Sequence, residues 1–175
     1  MICKSINYLK NCDWDSLIIL KHLRNDTHFY NKRLVLDYPF LRGPKMGSLC
    51  LRVLKDNVGV TQLKNLDKVS IPVDIHVARA TLMTGVIRGT ARIRLDKFFE
   101  NVRKAWFESV KDLKIKDRSM IALDVDKPLW VLSKYGCTNR DKIIGYCHVY
   151  SECVVKDFCI KGKVKIENNF VELET

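Results

Sequence analysis

The sequence reads YPFLRGPKMGSLCLRVL at residues 38–54 and IPVDIHVAR at residues 71–79, and these two segments decide the predicted fold. In the first segment, Gly43 can adopt a positive φ and Pro44 suits the first position of a helix. The apolar residues that follow recur with helical spacing, which predicts a helix with one buried face. That predicted face consists of Met46, Leu49, Cys50, Val53 and Leu54.

Each segment places one reactive side chain at the start of a helix. Lys45 follows the turn at Gly43, where free backbone N–H groups can bind phosphate. The helix dipole disfavours a protonated amine at this end, and a neutral amine is a usable nucleophile toward a sugar carbon. Pro72 disfavours helix in the residue before it, so Asp74 is expected to cap a helix from about Ile75 to Ile87.

Together, RGPKMGSLCLRVL and IPVDIHVAR resemble the hairpin and catalytic-aspartate regions of the helix-hairpin-helix DNA glycosylase superfamily, which includes endonuclease III and 8-oxoguanine DNA glycosylase. The most specific part of the resemblance is VDIH at residues 73–76. The resemblance implies that Lys45 is a Schiff-base nucleophile and that Asp74 helps to activate it and stabilises the cationic sugar. It also implies a hairpin that contacts DNA through Leu41, Arg42, Gly43, Lys45 and Gly47.

The chain departs from the family pattern in three places. Leu41 stands where the first hairpin glycine is expected, and the interval between Lys45 and Asp74 is longer than in the family, as if residues 55–69 were an insertion. The region before the hairpin is also much shorter than in the family. This short region leaves open a second alternative, a non-catalytic DNA-binding module or one half of a split glycosylase whose base pocket a partner chain completes.

The composition favours a single basic domain. The chain has 175 residues, 47% of them hydrophobic, which is enough for one core. Its formal net charge of +11 suits a polyanionic partner, because each neutralised phosphate releases counterions. No apolar run reaches the roughly 18 residues of a membrane span. The N-terminal MICKSINYLKN lacks the apolar core of a signal peptide, so we expect a cytoplasmic protein.

Four of the seven cysteines cluster near the C-terminus with the spacing C-x9-C-x5-C-x5-C. The odd total argues against a plain disulfide framework, and four thiolates can bind either zinc or a [4Fe–4S] cluster. The lack of a C-x2-C pair favours the cluster, and LWVLSKYGC at residues 129–137 resembles the junction before the cluster of endonuclease III. The expected ligands are Cys137, Cys147, Cys153 and Cys159, with His148 as an alternative to one of them.

The rest of the pattern predicts an all-α fold. Residues 1–37 are typical of helix, residues 55–70 of a surface connector with a turn at Asn57 and Gly59, and residues 164–175 of a short strand or a disordered tail. Asp96 is expected to cap a further helix, and Trp130 and Leu132 are expected in the core. The predicted buried face of the helix after Asp96 consists of Phe98, Val102, Ala105, Trp106, Val110 and Leu113.

The sequence thus predicts one glycosylase-like domain over residues 1–175, with a hairpin at about 38–55, a catalytic-aspartate segment at 71–87 and a cysteine loop at 137–159. The implied activity is removal of an oxidised base from double-stranded DNA, with lyase cleavage at the resulting abasic site. A zinc-bound scaffold that binds RNA or protein is a third alternative, since it also accounts for the basic charge and the cysteines.

Overall fold

A computed structural model of the chain describes residues 26–27, 43–89, 91–137, 147, 149–160, 163–167 and 169–174. The chain divides into two compact units, residues 1–72 and 73–175, which are described one at a time. The helix predicted over residues 1–37 lies, apart from Asp26 and Thr27, outside the described residues.

The first unit contains helix α1, Pro44–Asp56, and a 3₁₀ turn, Leu66–Lys68. As predicted, Gly43 precedes α1 with a φ of 102° and Pro44 opens it. The predicted turn also follows α1, where Gly59 has a φ of 76°. The predicted connector, residues 55–70, is contacted by Thr27, whose hydroxyl donates to the Asn65 carbonyl oxygen at 3.0 Å.

The predicted buried face of α1 is wrong by a small rotation. The buried residues are Gly47, Ser48, Leu51 and Leu54, whereas Val53 is 37% exposed. Met46, Leu49 and Cys50 are only half-buried. The buried stripe therefore runs through two small residues that the apolar pattern does not count, Gly47 and Ser48.

In the part of the second unit that the structure describes, there are three helices and two small antiparallel sheets. The helices are α2, Ile75–Met83, then α3, Leu95–Ser109, and α4, Asp126–Val131, which follows a 3₁₀ turn at Ala122–Val125 and continues into a π-helical turn at Leu132–Gly136. The strands are β1, Ala91–Arg94, β2, Lys114–Ile115, β3, Arg118–Ser119, β4, Lys163–Glu167, and β5, Phe170–Glu174. A further 3₁₀ turn spans Lys156–Phe158.

Helix α2 is the centre of this unit. It packs against α3, α4 and the π-helical turn, and Val77, Ala80 and Leu82 are fully buried. The indole Nε1 of Trp106 in α3 donates to the Thr81 hydroxyl oxygen at 2.8 Å, which joins the two helices. Helix α2 ends four residues before the predicted Ile87, because Gly85 turns into the left-handed region with a φ of 70°.

The all-α prediction is only partly right. The described residues are mainly helical, but β5 lies between β1 and β4 in a three-stranded antiparallel sheet. Ile93 of β1 is opposite Val171 of β5, whose side chain is fully buried. The tail is therefore a hairpin, in agreement with the strand alternative. The prediction missed β1 because four residues are too few to show an alternating pattern.

Three smaller predictions need correction. Helix α3 begins at Leu95 and its N-cap is Arg94, so Asp96 lies inside the first turn. On the predicted face, Phe98 and Val102 are fully buried and Val110 is 4% exposed, but Leu113 is exposed because it follows the end of the helix. Trp130 and Leu132 are half-buried, since the buried face of this segment passes through Leu129 and Ser133 instead. Among the described residues, no helix is long and apolar enough to cross a membrane.

Candidate functional site

Asp74 is held in a fixed position at the start of α2. Its backbone is extended, and its Oδ1 atom accepts hydrogen bonds from the backbone N–H groups of His76 at 2.9 Å and Val77 at 3.0 Å. The capping role predicted for this residue is confirmed. These two bonds fix the orientation of the carboxyl group at the start of α2.

Lys45 is the second residue of α1 and is half-buried. The turn before it favours glycine, because residue 43 has a φ of 102°. Since glycine has no side chain, Gly43 does not cap the first N–H groups of α1. The first turn of α1 contains no acidic residue, so this helix end keeps the character of an anion site. Of the other predicted DNA contacts, Gly47 is buried, and Leu41 and Arg42 lie outside the described residues.

Lys45 and Asp74 belong to different units, the first and the second respectively. The surroundings of each residue are therefore those of its own unit. Each occupies the N-terminal end of a helix, as the sequence predicts.

All four predicted cysteine ligands line a single cavity of the second unit. The cavity is small, about 20 Å³ for the centre of a water molecule, and its exposed wall is almost entirely apolar. Its lining cysteines are Cys137, Cys147, Cys153 and Cys159. Residues that are up to 22 positions apart in the sequence, 137 to 159, thus meet in one place.

The backbone between Cys147 and Cys159 forms a series of turns. Successive turns join the N–H of Tyr150 to the Cys147 carbonyl at 2.9 Å and the N–H of Cys153 to the Tyr150 carbonyl at 3.3 Å. The same step repeats from Lys156 to Cys153 at 3.2 Å and from Cys159 to Lys156 at 3.1 Å. Cys147, Cys153 and Cys159 stand at every second step of this series of turns. This regularity accompanies the C-x5-C-x5-C spacing, and comparison with C-x2-C pairs does not reveal it.

The described C-terminal part of the cysteine loop, residues 149–159, is attached to the end of α2. The N–H of Ile160 donates to the Met83 carbonyl oxygen at 3.1 Å, and Met83 and Thr84 form part of the cavity wall. Gly85 lets the two segments approach, since a Cβ atom there would lie 2.9 Å from Cγ2 of Ile160. Helix α2 therefore has Asp74 at one end and the cysteine cavity at the other.

Thiols are the donor type that both zinc and a [4Fe–4S] cluster take. No disulfide joins the described cysteines, and among the described residues no group of three or more His, Cys, Asp or Glu side chains is arranged to hold a metal ion. A single zinc ion would draw its four sulfurs to within about 3.8 Å of one another, given a Zn–S distance near 2.3 Å. A [4Fe–4S] cluster binds one thiolate at each of its irons, so the four cysteine sulfurs lie further apart than around a single zinc ion. His148, the alternative ligand, lies outside the described residues.

Two side-chain contacts hold His76 in place within the second unit. Its Nδ1 atom lies 3.3 Å from the hydroxyl oxygen of Ser133, whose side chain is fully buried. Its ring also meets the Trp130 ring edge-on, with 5.6 Å between the centroids. These contacts fix the start of α2 against the π-helical turn, a neighbour that the sequence did not indicate.

Comparison of the chain with protein-family models, with curated proteins and with solved structures finds no match.

Proposed function

We propose that this chain is a base-excision DNA glycosylase with associated lyase activity at abasic sites. The observation that carries the proposal is the layout of α2, with a fixed carboxylate at Asp74 where the helix begins and a cavity lined by four cysteines where it ends. A catalytic aspartate followed by a cysteine loop is the order that the resemblance to endonuclease III implies.

The proposed reaction uses Lys45 as the nucleophile. Its neutral amine attacks C1′ of the damaged nucleotide, the C1′–N bond to the base breaks, and the base leaves with a proton. One amine proton goes to the departing base, and the other passes to O4′ as the C1′–O4′ bond breaks and the C1′=N bond of the Schiff base forms. Once the Schiff base takes a proton from water, loss of a proton from C2′ expels the 3′ phosphate by β-elimination. The Asp74 carboxylate stabilises the positive charge that develops on the sugar.

The proposed substrate is double-stranded DNA with a damaged base or an abasic site. The net charge of +11 supports binding to a phosphate backbone. A base within the stack is out of reach of Lys45, so the nucleotide has to be flipped out before the reaction. The helix end at Gly43 and Lys45 supplies N–H groups for one phosphate of the flipped strand.

We propose that the four cysteines hold a [4Fe–4S] cluster, with zinc as the alternative. Cys137, Cys147, Cys153 and Cys159 would each bind one iron. When bound, the cluster supplies a rigid cross-link between the end of α4 and the cysteine loop. The residues of the loop would then bind the DNA backbone, with Lys156 on its exposed surface.

A non-catalytic DNA-binding module, or one half of a split glycosylase, is the second candidate. The observation that favours it is the departure from the family pattern within the chain, with Leu41 in place of the first hairpin glycine and a long interval between Lys45 and Asp74. In that case the chain binds damaged DNA, but a partner chain has to complete the pocket.

Borohydride trapping tests the enzymatic proposal. The protein is incubated with duplexes that carry an abasic site, 8-oxoguanine or thymine glycol, and is then reduced. We expect a covalent adduct that is lost in Lys45→Ala and kept in Lys55→Ala, a matched lysine at the far end of α1. The lesion that gives most adduct identifies the substrate.

No adduct on any duplex, together with tight binding, would rule out catalysis by this chain alone and favour the second candidate. An adduct that persists in Lys45→Ala would show that another amine is the nucleophile.

A further inference from the structure

A cluster of aromatic and cationic side chains lies at the surface of the second unit, where α4 passes into the π-helical turn. The Nζ atom of Lys134 lies 4.4 Å from the centroid of the Trp130 ring and 5.5 Å from that of the Tyr135 ring. Tyr135 is 62% exposed, and Lys134 is exposed as well. We call Trp130, Lys134 and Tyr135 the aromatic–cation surface.

This surface is held rigidly next to the start of α2. The Trp130 ring contacts the His76 ring at 5.6 Å with an angle of 64° between the planes, and His76 follows Asp74 by two residues. The Nδ1 atom of His76 is in turn within 3.3 Å of the Ser133 hydroxyl oxygen. The π-helical turn brings Lys134 and Tyr135 to this position, and such turns occur frequently at functional sites.

The composition of the surface matches one class of ligand. An exposed aromatic ring offers a stacking face for a base without sequence preference, and a neighbouring ammonium group pairs with a phosphate. A purely apolar partner would leave the Lys134 ammonium desolvated, which is costly. The positive charge of the whole chain further favours a nucleic acid.

We infer that the aromatic–cation surface binds an unpaired nucleotide of the DNA, with its base stacked on Tyr135 and its phosphate next to Lys134. The inference rests on the DNA-binding part of the proposed function. It assigns a binding role to residues that neither the hairpin nor the cysteine loop contains. Trp130 positions the lysine and does not itself need to contact the base.

The test measures binding of the full chain to two labelled probes by fluorescence anisotropy over a range of salt concentrations. One probe is an oligothymidylate of about ten nucleotides, a typical site size for such proteins. The other has the same backbone length but carries no bases. The variants are Tyr135→Ala, Tyr135→Phe and Lys134→Ala, and the matched control is Phe107→Ala, which removes a partly exposed ring from α3.

We expect Tyr135→Ala to bind oligothymidylate about 5- to 150-fold more weakly, the range for loss of one stacked base, and to bind the probe without bases as the wild type does. Tyr135→Phe and Phe107→Ala should bind both probes normally. Lys134→Ala should weaken binding of both probes and reduce the salt slope by about 0.7.

Unchanged oligothymidylate binding by Tyr135→Ala overturns the inference, as does an equal loss on both probes. If that variant binds normally but the wild type still forms a borohydride adduct, only the inference fails and the glycosylase proposal stands. If the Tyr135 effect is present but no adduct forms, the binding surface stands and the catalytic proposal fails. A wild type that binds neither probe overturns this inference, whereas the proposal of a double-stranded substrate is decided by borohydride trapping on the duplexes.

Discussion

Asp74 combines a structural role with a proposed catalytic role, and two substitutions can separate them. The carboxylate accepts two hydrogen bonds, from the N–H groups of His76 at 2.9 Å and Val77 at 3.0 Å. Asp74→Ala removes both, and loss of such an N-cap costs about 1 kcal/mol, with a range of about 0.5–2 kcal/mol. Asn caps about as well as Asp, so Asp74→Asn should lose little stability while it removes the negative charge that the reaction requires.

Thermal unfolding monitored by circular dichroism measures the first effect. For a chain of this size, 1 kcal/mol corresponds to a decrease of about 2–4 °C in Tm, so Asp74→Ala should melt measurably earlier than Asp74→Asn. Borohydride trapping measures the second effect, and both variants should form far less adduct than the wild type. Equal destabilisation by both substitutions would refute the capping geometry. Normal adduct formation by Asp74→Asn would refute the proposed role of the charge.

Three further predictions concern the second unit. Gly85→Ala should destabilise the protein by about 1 kcal/mol or more, because φ is +70° and the new Cβ would lie 2.9 Å from Cγ2 of Ile160. The control is Gly136→Ala, whose new Cβ would have its nearest neighbour at 3.7 Å. This control should be tolerated in the same melting assay. A hydrogen bond from the Lys97 N–H, and to a lesser degree one from the Arg94 guanidinium, hold the pKa of Asp96 below its usual range. Arg94→Ala should therefore raise that pKa in an NMR titration. An unchanged pKa would refute the hydrogen bond between Arg94 and Asp96. Because the folded pKa is lowered, the stability that Asp96 contributes is present above its unfolded pKa and is lost as pH falls through the folded pKa. Purified protein should contain iron and sulfide and be brown, and Cys153→Ser should lose both; zinc without iron would establish the alternative.

The sequence predicts the starts of α1 and α2 well, because the signals for these two helix starts are local. Gly43 followed by Pro44, and Pro72 followed by Asp74, fix a helix start through backbone preferences that need no distant partner. The turn at Gly59 has the same local origin. The grouping of the four cysteines is also visible in the sequence, since their density alone indicates a common site.

The features that the sequence does not predict depend on partners far along the chain. Which side of α1 is buried depends on what packs against Gly47 and Ser48, and periodicity alone does not give that. Strand β1 exists because residues 91–94 pair with residues 170–173 of β5. The contact between His76 and Trp130 likewise joins elements that are more than fifty residues apart.

Helix α2 is too short to be stable without tertiary contacts. Its nine residues span only about 13 Å, and isolated helices of this length are marginal in water. Its two ends are held by different devices, the Asp74 cap at the start and the bond from the Ile160 N–H to the Met83 carbonyl at the end. Loosening one end is therefore expected to increase fraying at the other.

This reasoning predicts an effect of the cysteine loop on Asp74, although the loop contacts the opposite end of the helix. In Cys153→Ser, which alters the cavity wall, the amide protons of His76 and Val77 should exchange faster with solvent than in the wild type. Cys50→Ser, in α1 of the first unit, is the matched control and should leave these two amides unchanged. Unchanged exchange in Cys153→Ser would mean that packing against α3 and α4 holds α2 by itself, and that the cysteine loop contributes nothing to the position of the carboxylate.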